Sequence, residues 1–283
     1  MKKRISLLLA AIMLFSIVLT GCGKSEPKEN AGNNGSNVKT ESKSLQDIID
    51  SKKLVFGTSA GYPPFEFHTL VNGKDEIVGL DVEIAKYVAD ELGVELEISD
   101  MEFDKLLGGL STGMLDMVIA GMNPNPERLK KANFTDIYYE ANLSVIVPKD
   151  GKAKIATEKD LEGKSMAIQL GTTQEEIANK IKDAKVTSLD RNSDIIMNLK
   201  TKKVDCTIME TPVAQSFVKV NDDLMIVEDL IIDSGTGGVS IAVKKGNDEF
   251  TEKLNEILAE LKSKGLIDKW LVEATELSTK SIK

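Results

Sequence analysis

The chain has 283 residues, with 36 Lys and Arg against 45 Asp and Glu and a single His, a formal net charge of −9. That acidic balance argues against nucleic acid, whose binders carry a basic surface or stripe, and against polybasic attraction to anionic lipid. With two cysteines in the whole chain, a disulfide framework is excluded as the source of stability.

Residues 1–21 read as a processed leader. Lys2, Lys3 and Arg4 form a positive start, residues 5–19 are apolar, and Leu19-Thr20-Gly21-Cys22 reads as a lipobox. Cleavage would make Cys22 the lipidated N-terminus and tether the rest to the outer face of a bacterial membrane. The plainer alternative is an ordinary signal peptide with a chance cysteine, or an uncleaved anchor. Loss of the leader removes three basic residues, leaving 33 against 45 acidic and a charge of −12. Residues 22–43 are rich in Gly, Ser, Asn, Lys and Glu and cannot bury enough apolar surface to fold. They are expected to act as a flexible tether, reaching ~25 Å on average by coil statistics.

From Ser44 the pattern turns globular, and the remaining ~240 residues suffice for two modest domains or one large one. A short helix is expected over 45–51, then a buried strand at Leu54-Val55-Phe56 ending at Gly57. Asp81 is placed to cap a helix over 82–92, with Ile84, Val88 and Leu92 on one stripe and Gly93 as its stop. Val94, Leu96 and Ile98 alternate with Glu95 and Glu97 as a half-buried strand. Residues 104–110 read as helix and 117–120 as a buried strand closing at Gly121.

The second half has similar units. A strand is expected at 165–168, and Thr172 with Glu175 fits a capping box opening a helix over 173–182. A helix at 194–199 and a strand at 204–209 follow. Strands alternating with helices argue for an α/β fold with parallel sheets covered on both faces. Leu110 through Asp116 to Ile119 and Leu199 through Asp205 to Ile208 share one spacing of helix end, acidic residue and strand. Two lobes built alike would produce this, and so would chance between two units obeying the same connection rules. Apolar strands at 145–148 and 239–243, the second preceded by Gly235, Gly237 and Gly238, are expected to form a hinge. A final helix over 249–271, with Leu254, Ile257, Leu258, Leu261 and Leu266 on one face, should pack on the first lobe.

The residue inventory argues against an enzyme. Cys206 sits in an apolar strand, as a small buried hydrophobe would, and His68 sits in a polar turn. One His and one remaining Cys leave little for a soft-metal site. Gly171-Thr172-Thr173 lacks the lysine of a phosphate loop. No cofactor or metal is expected. Four strand ends instead carry clustered polar and aromatic residues, where open α/β sheets place ligands.

Those strand ends carry Gly57-Thr58 before Tyr62-Pro63-Pro64-Phe65, then Gly79-Leu80-Asp81, Asp116-x-x-Ile119-Ala120-Gly121-Met122 and Pro126-Glu127-Arg128. Phe134-Thr135-Asp136-x-Tyr138 and Gln169-x-Gly171-Thr172-Thr173 complete the set. In this order and spacing the chain resembles the polar amino-acid family of bacterial extracellular solute-binding proteins, from about Leu54 to Trp270. The resemblance implies a two-lobed periplasmic-binding-protein-like fold of type II, with two parallel or mixed sheets flanked by helices about a hinge and central cleft. It implies lobe 1 at 44–139 plus 235–283 and lobe 2 at 140–234. It also implies a monomeric receptor that hands a polar amino acid to an ABC permease and, through it, to ATPase subunits.

The family's site maps onto this chain residue by residue. Arg128 would hold the ligand carboxylate, helped by the backbone N–H groups of Asn123 and of Thr173 at a helix start. The Gly121 carbonyl, the Asn123 side chain and Glu210 would hold the ammonium; many relatives have Asp at the last position and Ser or Thr at Asn123. Tyr62 and Phe103 would wall the side-chain pocket, unless they are core. Met122, Gln169 and Thr172 complete the expected ligand-facing set. Ser59 stands where several relatives carry Asp, a loss that Glu66 or Gln169 could offset. Asp81, Asp116 and Asp205 are expected to have structural roles. Two other roles are open on the same scaffold: a dehydratase acting on cyclic acids, with Glu210 as general acid, or a sensory module docking a receptor.

Overall fold

The computed structural model of the chain describes residues 43–151 and 154–281. The lipobox, Cys22 and the tether lie outside the described residues.

Helix α1 (Leu45–Ser51) opens with a capping box between Ser44 and Asp47 and ends where Lys52 turns left-handed. Strand β1 (Lys53–Thr58) follows and is buried from its second residue on. Strands β2 (Phe67–Val71) and β3 (Lys74–Val78) form a hairpin across Asn72-Gly73, both at positive φ, the pair that a tight two-residue turn requires. His68 therefore lies on a strand rather than in a turn, with its ring nitrogens facing Asp75 and Asp100.

Helix α2 (Leu80–Leu92) begins at Gly79. Here φ is +133° and a Cβ would sit 2.1 Å from the Phe65 carbonyl oxygen, so no other residue fits. This entry places Asp81 inside the helix and overturns its expected role as the cap. Strand β4 (Glu95–Asp100) leads through a tight turn at Phe103–Lys105 to α3 (Leu106–Thr112). The short β5 (Met117–Val118), α4 (Pro126–Leu129) and β6 (Ala132–Phe134) close this part.

The chain then enters a second sheet. Its elements are β7 (Leu143–Pro148), β8 (Ser165–Gln169), α5 (Thr173–Ala178), β9 (Lys185–Leu189) and α6 (Asn192–Lys200). Then come β10 (Thr207–Glu210), α7 (Thr211–Val220) and β11 (Leu224–Ile232). Helix α5 stops well short of the expected 182. Strand β12 (Ala242–Lys244) returns to the first sheet, and α8 (Asp248–Ser263) and α9 (Leu266–Ser281) finish the chain.

The first sheet has the order β4-β1-β5-β12-β6, with β4, β1 and β5 parallel and β12 antiparallel to both neighbours. In the second part β10-β7-β11 is antiparallel and β8-β9 is parallel, joined by a bridge from Met166 to Cys206. The expected strand at 145–148 belongs to a sheet as part of β7, and of 239–243 only Ala242 and Val243 do, as part of β12. At the start of the second run Val239 forms an isolated antiparallel bridge with Tyr139, its N–H donating to the Tyr139 carbonyl at 2.9 Å. The expected single C-terminal helix is two helices, because Gly265 turns the chain at φ +64°. Leu254, Ile257, Leu258 and Leu261 of α8 are buried in the main core with Leu54, Phe56 and Phe250, each contributing about 1.5–3 kcal/mol of burial. Helix α9 touches both α2 and α7.

The internal echo has a physical counterpart. Asp116 takes the Val55 N–H at 2.9 Å on its carboxylate and returns its own N–H to the Val55 carbonyl at 2.9 Å. Asp205 does the same with Ser165, at 2.9 and 2.8 Å. Asp116 thereby ties the start of β5 to β1, and Asp205 ties the approach to β10 to β8.

Candidate functional site

The carboxyl ends of β1, β5, β8 and β10 converge on one cavity. It is lined by Ser59, Tyr62 and Glu66 after β1, by Phe103, by Ala120, Gly121 and Asn123 after β5, and by Gln169, Thr172, Gln174 and Glu210 from the second part. Its volume is about 10 Å³, room for one water. An amino acid enters only if these loops part.

Tyr62 is the bridge between the two sides. Its ring lies against Gly121, whose φ is +54° and where a Cβ would come 3.3 Å from the ring. Its hydroxyl donates to Glu210 Oε2, and the Glu210 backbone N–H reaches the same hydroxyl at 3.3 Å. Gln174 Nε2 donates to Glu210 Oε2 at 2.6 Å. Glu210 Oε1 is buried and has no partner. Burial raises this carboxyl to about 8, so near neutral pH it holds its proton in the closed cleft.

Arg128 lies on the far side of Phe103. Asn125 caps α4 and accepts the Arg128 backbone N–H at 2.9 Å, while Pro126 starts the helix without losing a bond. The buried guanidinium sits 5.1 Å from the centre of the Phe103 ring. It donates to the Asn123 carbonyl at 2.8 Å and, across the cleft, to the Gly171 carbonyl at 2.9 Å. Both acceptors are neutral, and among the described residues Arg128 makes no ion pair. Burial lowers it to about 10, with Glu176 opposing, so it stays charged. A carboxylate would be a stronger bidentate partner than either carbonyl. Arg128, Phe103 and Gly171 line an adjoining groove of about 590 Å³.

The acid side holds a second device. Glu66 is buried in the cavity wall beside Ser59 and its Oε2 has no partner. Burial, then the charge of Asp81, holds Glu66 well above the ordinary carboxylate range. Asp81, raised by burial to about 6, is supported by the Gly121 N–H at 2.9 Å and the Tyr138 hydroxyl at 2.8 Å. An acidic side chain is thus present on the same loop as Ser59.

Of the expected residues, Ser59, Tyr62, Phe103, Gly121, Asn123, Gln169, Thr172 and Glu210 line the cavity, and Arg128 flanks it. The Met122 side chain does not line it. It is buried with Leu106, Leu110 and Val118 and lines the adjoining groove with Arg128 instead. Asn123 turns its amide nitrogen to the Gly238 carbonyl at 3.0 Å, and Gln169 directs its own to the Asp190 carbonyl at 3.4 Å. The Thr172 hydroxyl is committed locally, donating to the Gln169 carbonyl at 2.7 Å and accepting the Glu175 N–H at 3.2 Å. Only half of the expected capping box forms, since Glu175 takes the Gly171 N–H instead. Thr173 starts α5 outside the cavity wall, its hydroxyl buried and unpartnered. Sequence reasoning passed over Gln174, two places beyond the Thr172 cap and facing Glu210, and the Asp81–Tyr138 support.

Residues 54–273 match the bacterial extracellular solute-binding proteins, family 3. The chain is 36% identical over 274 residues to the arginine-binding extracellular protein ArtP of Bacillus subtilis (strain 168), covering 95% of this chain and 96% of that protein. It is similar in structure to the amino acid ABC transporter substrate-binding protein AbpA of Streptococcus pneumoniae bound to L-arginine. There the TM-score is 0.79 and the identity 36%, over 83% of this chain and 99% of that one. It is also similar to the ancestral amino acid-binding protein AncCDT-1, a precursor of cyclohexadienyl dehydratase, with TM-score 0.72 and 32% identity, over 84% of this chain and 99% of that one. With a two-lobed α/β fold, ligand-type loops at four strand ends and a family match over most of its length, the chain belongs to the bacterial extracellular solute-binding proteins of family 3.

Proposed function

We propose that this protein captures L-arginine outside the cell by closure of two lobes, 44–139 plus 235–283 and 140–234, and delivers it to an ABC permease. The observation that carries the ligand assignment is a charge pattern. One buried cation, Arg128, bonds only neutral carbonyls, and two buried carboxyls, Glu210 and Glu66, each keep an unpartnered oxygen. Arginine presents the complement: one carboxylate, one ammonium and one side-chain cation. Arg128 takes the carboxylate with the backbone N–H groups of Asn123 and Thr173. Glu210, the Gly121 carbonyl and Asn123 take the ammonium. Glu66 takes the guanidinium, with Tyr62 and Phe103 against the alkyl chain. The arginine-binding relatives support the same choice.

Closure couples capture to delivery because ligand bridges groups from both sides, so it favours the closed form. In this reading the protein is monomeric, uses no cofactor, and is held at the membrane by a lipid on Cys22. Mass spectrometry of the N-terminal peptide from cells tests the anchor, with an acylated Cys22 expected. For the ligand, the protein is unfolded and refolded to strip bound amino acids, then titrated calorimetrically with arginine, glutamine, histidine and glutamate. Arginine should bind most tightly, and glutamate should fail.

One observation favours a second reading: a buried acid that keeps its proton near neutrality, Glu210, on a fold similar to a dehydratase precursor. Turnover of a prephenate-like acid by the wild type but not by Glu210→Gln would establish it.

A further inference from the structure

Asp81 lies behind the cavity, outside any ligand's reach, yet it touches the parts that set both the ammonium end and the side-chain end of the site. One carboxylate oxygen holds the Gly121 N–H and the other holds the Tyr138 hydroxyl. The Gly121 N–H bond fixes the peptide whose neighbouring carbonyl faces the ammonium. The same carboxylate acts on the buried carboxyl of Glu66, whose Oε2 lies in the cavity wall without a partner. Burial of both acids, with the charge of Asp81 acting on Glu66, favours a single proton held by the pair.

We propose that Asp81 is a positioning residue for both ends of the ligand, and that capture of a cationic side chain expels to solvent the proton that Glu66 shares with Asp81. The inference rests on the arginine reading above. Before capture the pair carries one negative charge and the Glu66 O–H bond is intact. On capture that bond breaks, the proton passes to buffer, and the pair carries two negative charges against the incoming guanidinium. Two adjacent buried carboxylates do not both ionise without a cation beside them. A neutral side chain of the same shape brings none, so the pair keeps its proton and its oxygen stays poorly matched. The site thereby selects for charge rather than for length or shape.

The groups around Glu66 agree. Asp81 on α2 and Asp100 at the end of β4 both add negative charge and hold the proton on it. Tyr62 from its own loop and Tyr138 behind Asp81 are neutral. Glu210 lines the same cavity and is a second acid that ligand binding deprotonates, but through the ammonium that every amino acid carries. The Glu210 proton is therefore released by any amino acid, and the Glu66 proton only by a cationic one.

Calorimetry near neutral pH, in two buffers of different ionisation enthalpy, counts the protons. The stripped protein is titrated with L-arginine and with L-citrulline, its neutral isostere. Arginine should release about one proton more than citrulline. In Glu66→Gln that excess should vanish while arginine affinity falls about tenfold or more. In Asp81→Asn both ligands should weaken and the excess should shrink, because the charge that retains the proton is gone. If citrulline binds too weakly to titrate, arginine binding to Glu66→Gln is the reference. Equal proton release by the two ligands in the wild type would overturn the proposal while leaving arginine capture intact. Binding of neither ligand would overturn both, so the two failures are distinguishable.

Discussion

The two sheets share a scaffold but contribute to the cleft in different ways. Asp116 and Asp205 perform the same two-bond backbone clamp, on Val55 within β1 and on Ser165 at the start of β8. Above that clamp the first sheet supplies braced groups: Arg128 is fixed by Asn125, and Gly121 and Glu66 by Asp81. The second supplies Glu210, Gln174 and the Gly171 carbonyl, whose cleft-facing contacts run to each other or across to Tyr62 and Arg128. One side is a built receptacle and the other a closing face whose polar groups wait for a partner.

The largest effect should come from the receptacle. Arg128→Ala removes the cation proposed to hold the ligand carboxylate, and arginine affinity should fall by about a thousandfold, given the usual cost of breaking a buried charge pair. Isothermal titration measures it, and Arg128→Lys should recover only part, since an ammonium lacks the bidentate fork. Glu210→Gln tests the closing face. It keeps a carbonyl for the ammonium but no charge, so affinity should fall by about a hundredfold.

The acid side makes affinity depend on pH with a definite sign. Glu210 is raised from 4.5 to about 8 by burial, so the closed protein without ligand binds a proton that an unfolded or open chain gives up earlier. That stabilisation is complete below about 4.5 and is lost as pH rises through about 8. Melting temperature without ligand should therefore drop between about pH 5 and pH 8.5, less so in Glu210→Gln. Ligand binding expels the same proton, so amino-acid affinity should rise over that range, up to about tenfold per pH unit for each proton released. Flat affinity across the range would contradict the protonated closed form.

The smallest effect sharpens the shared part of the comparison. Asp116→Ala and Asp205→Ala each leave a strand N–H, that of Val55 or of Ser165, without its acceptor. Each should cost about 1–3 kcal/mol of stability in denaturant unfolding, with arginine affinity unchanged. Asp116 should be at the upper end, since its side chain is buried and also meets Lys43 at 2.9 Å. A large loss in one and none in the other would break the equivalence of the two sheets.

The scaffold was legible where local rules decide. The helix at 45–51, the Ile84–Val88–Leu92 stripe and the shared Asp116 and Asp205 spacing all follow from periodicity, caps and connection geometry. Legibility failed where long-range contacts decide. Asp81 has the sequence look of a cap, but the close approach of Gly79 to the Phe65 carbonyl moves the helix start back and sends Asp81 inward. The Asn72-Gly73 turn gave a local hairpin signal that went unread. Met122 was expected to face the ligand, but it follows the left-handed Gly121 beyond the end of β5 and is buried with Leu106 and Leu110. Gln174 and Glu66 acquire meaning only when the carboxyl ends of four strands meet.

The most direct test of the account is a thermal-shift screen of the stripped protein and Arg128→Ala against the standard amino acids and citrulline. A ligand that binds only the folded state raises the melting midpoint by mass action. The account predicts the largest shift with arginine, a smaller one with citrulline, none with glutamate, and loss of the arginine shift in Arg128→Ala. No shift with any amino acid, or a largest shift with an acidic or neutral one that survives Arg128→Ala, would contradict it.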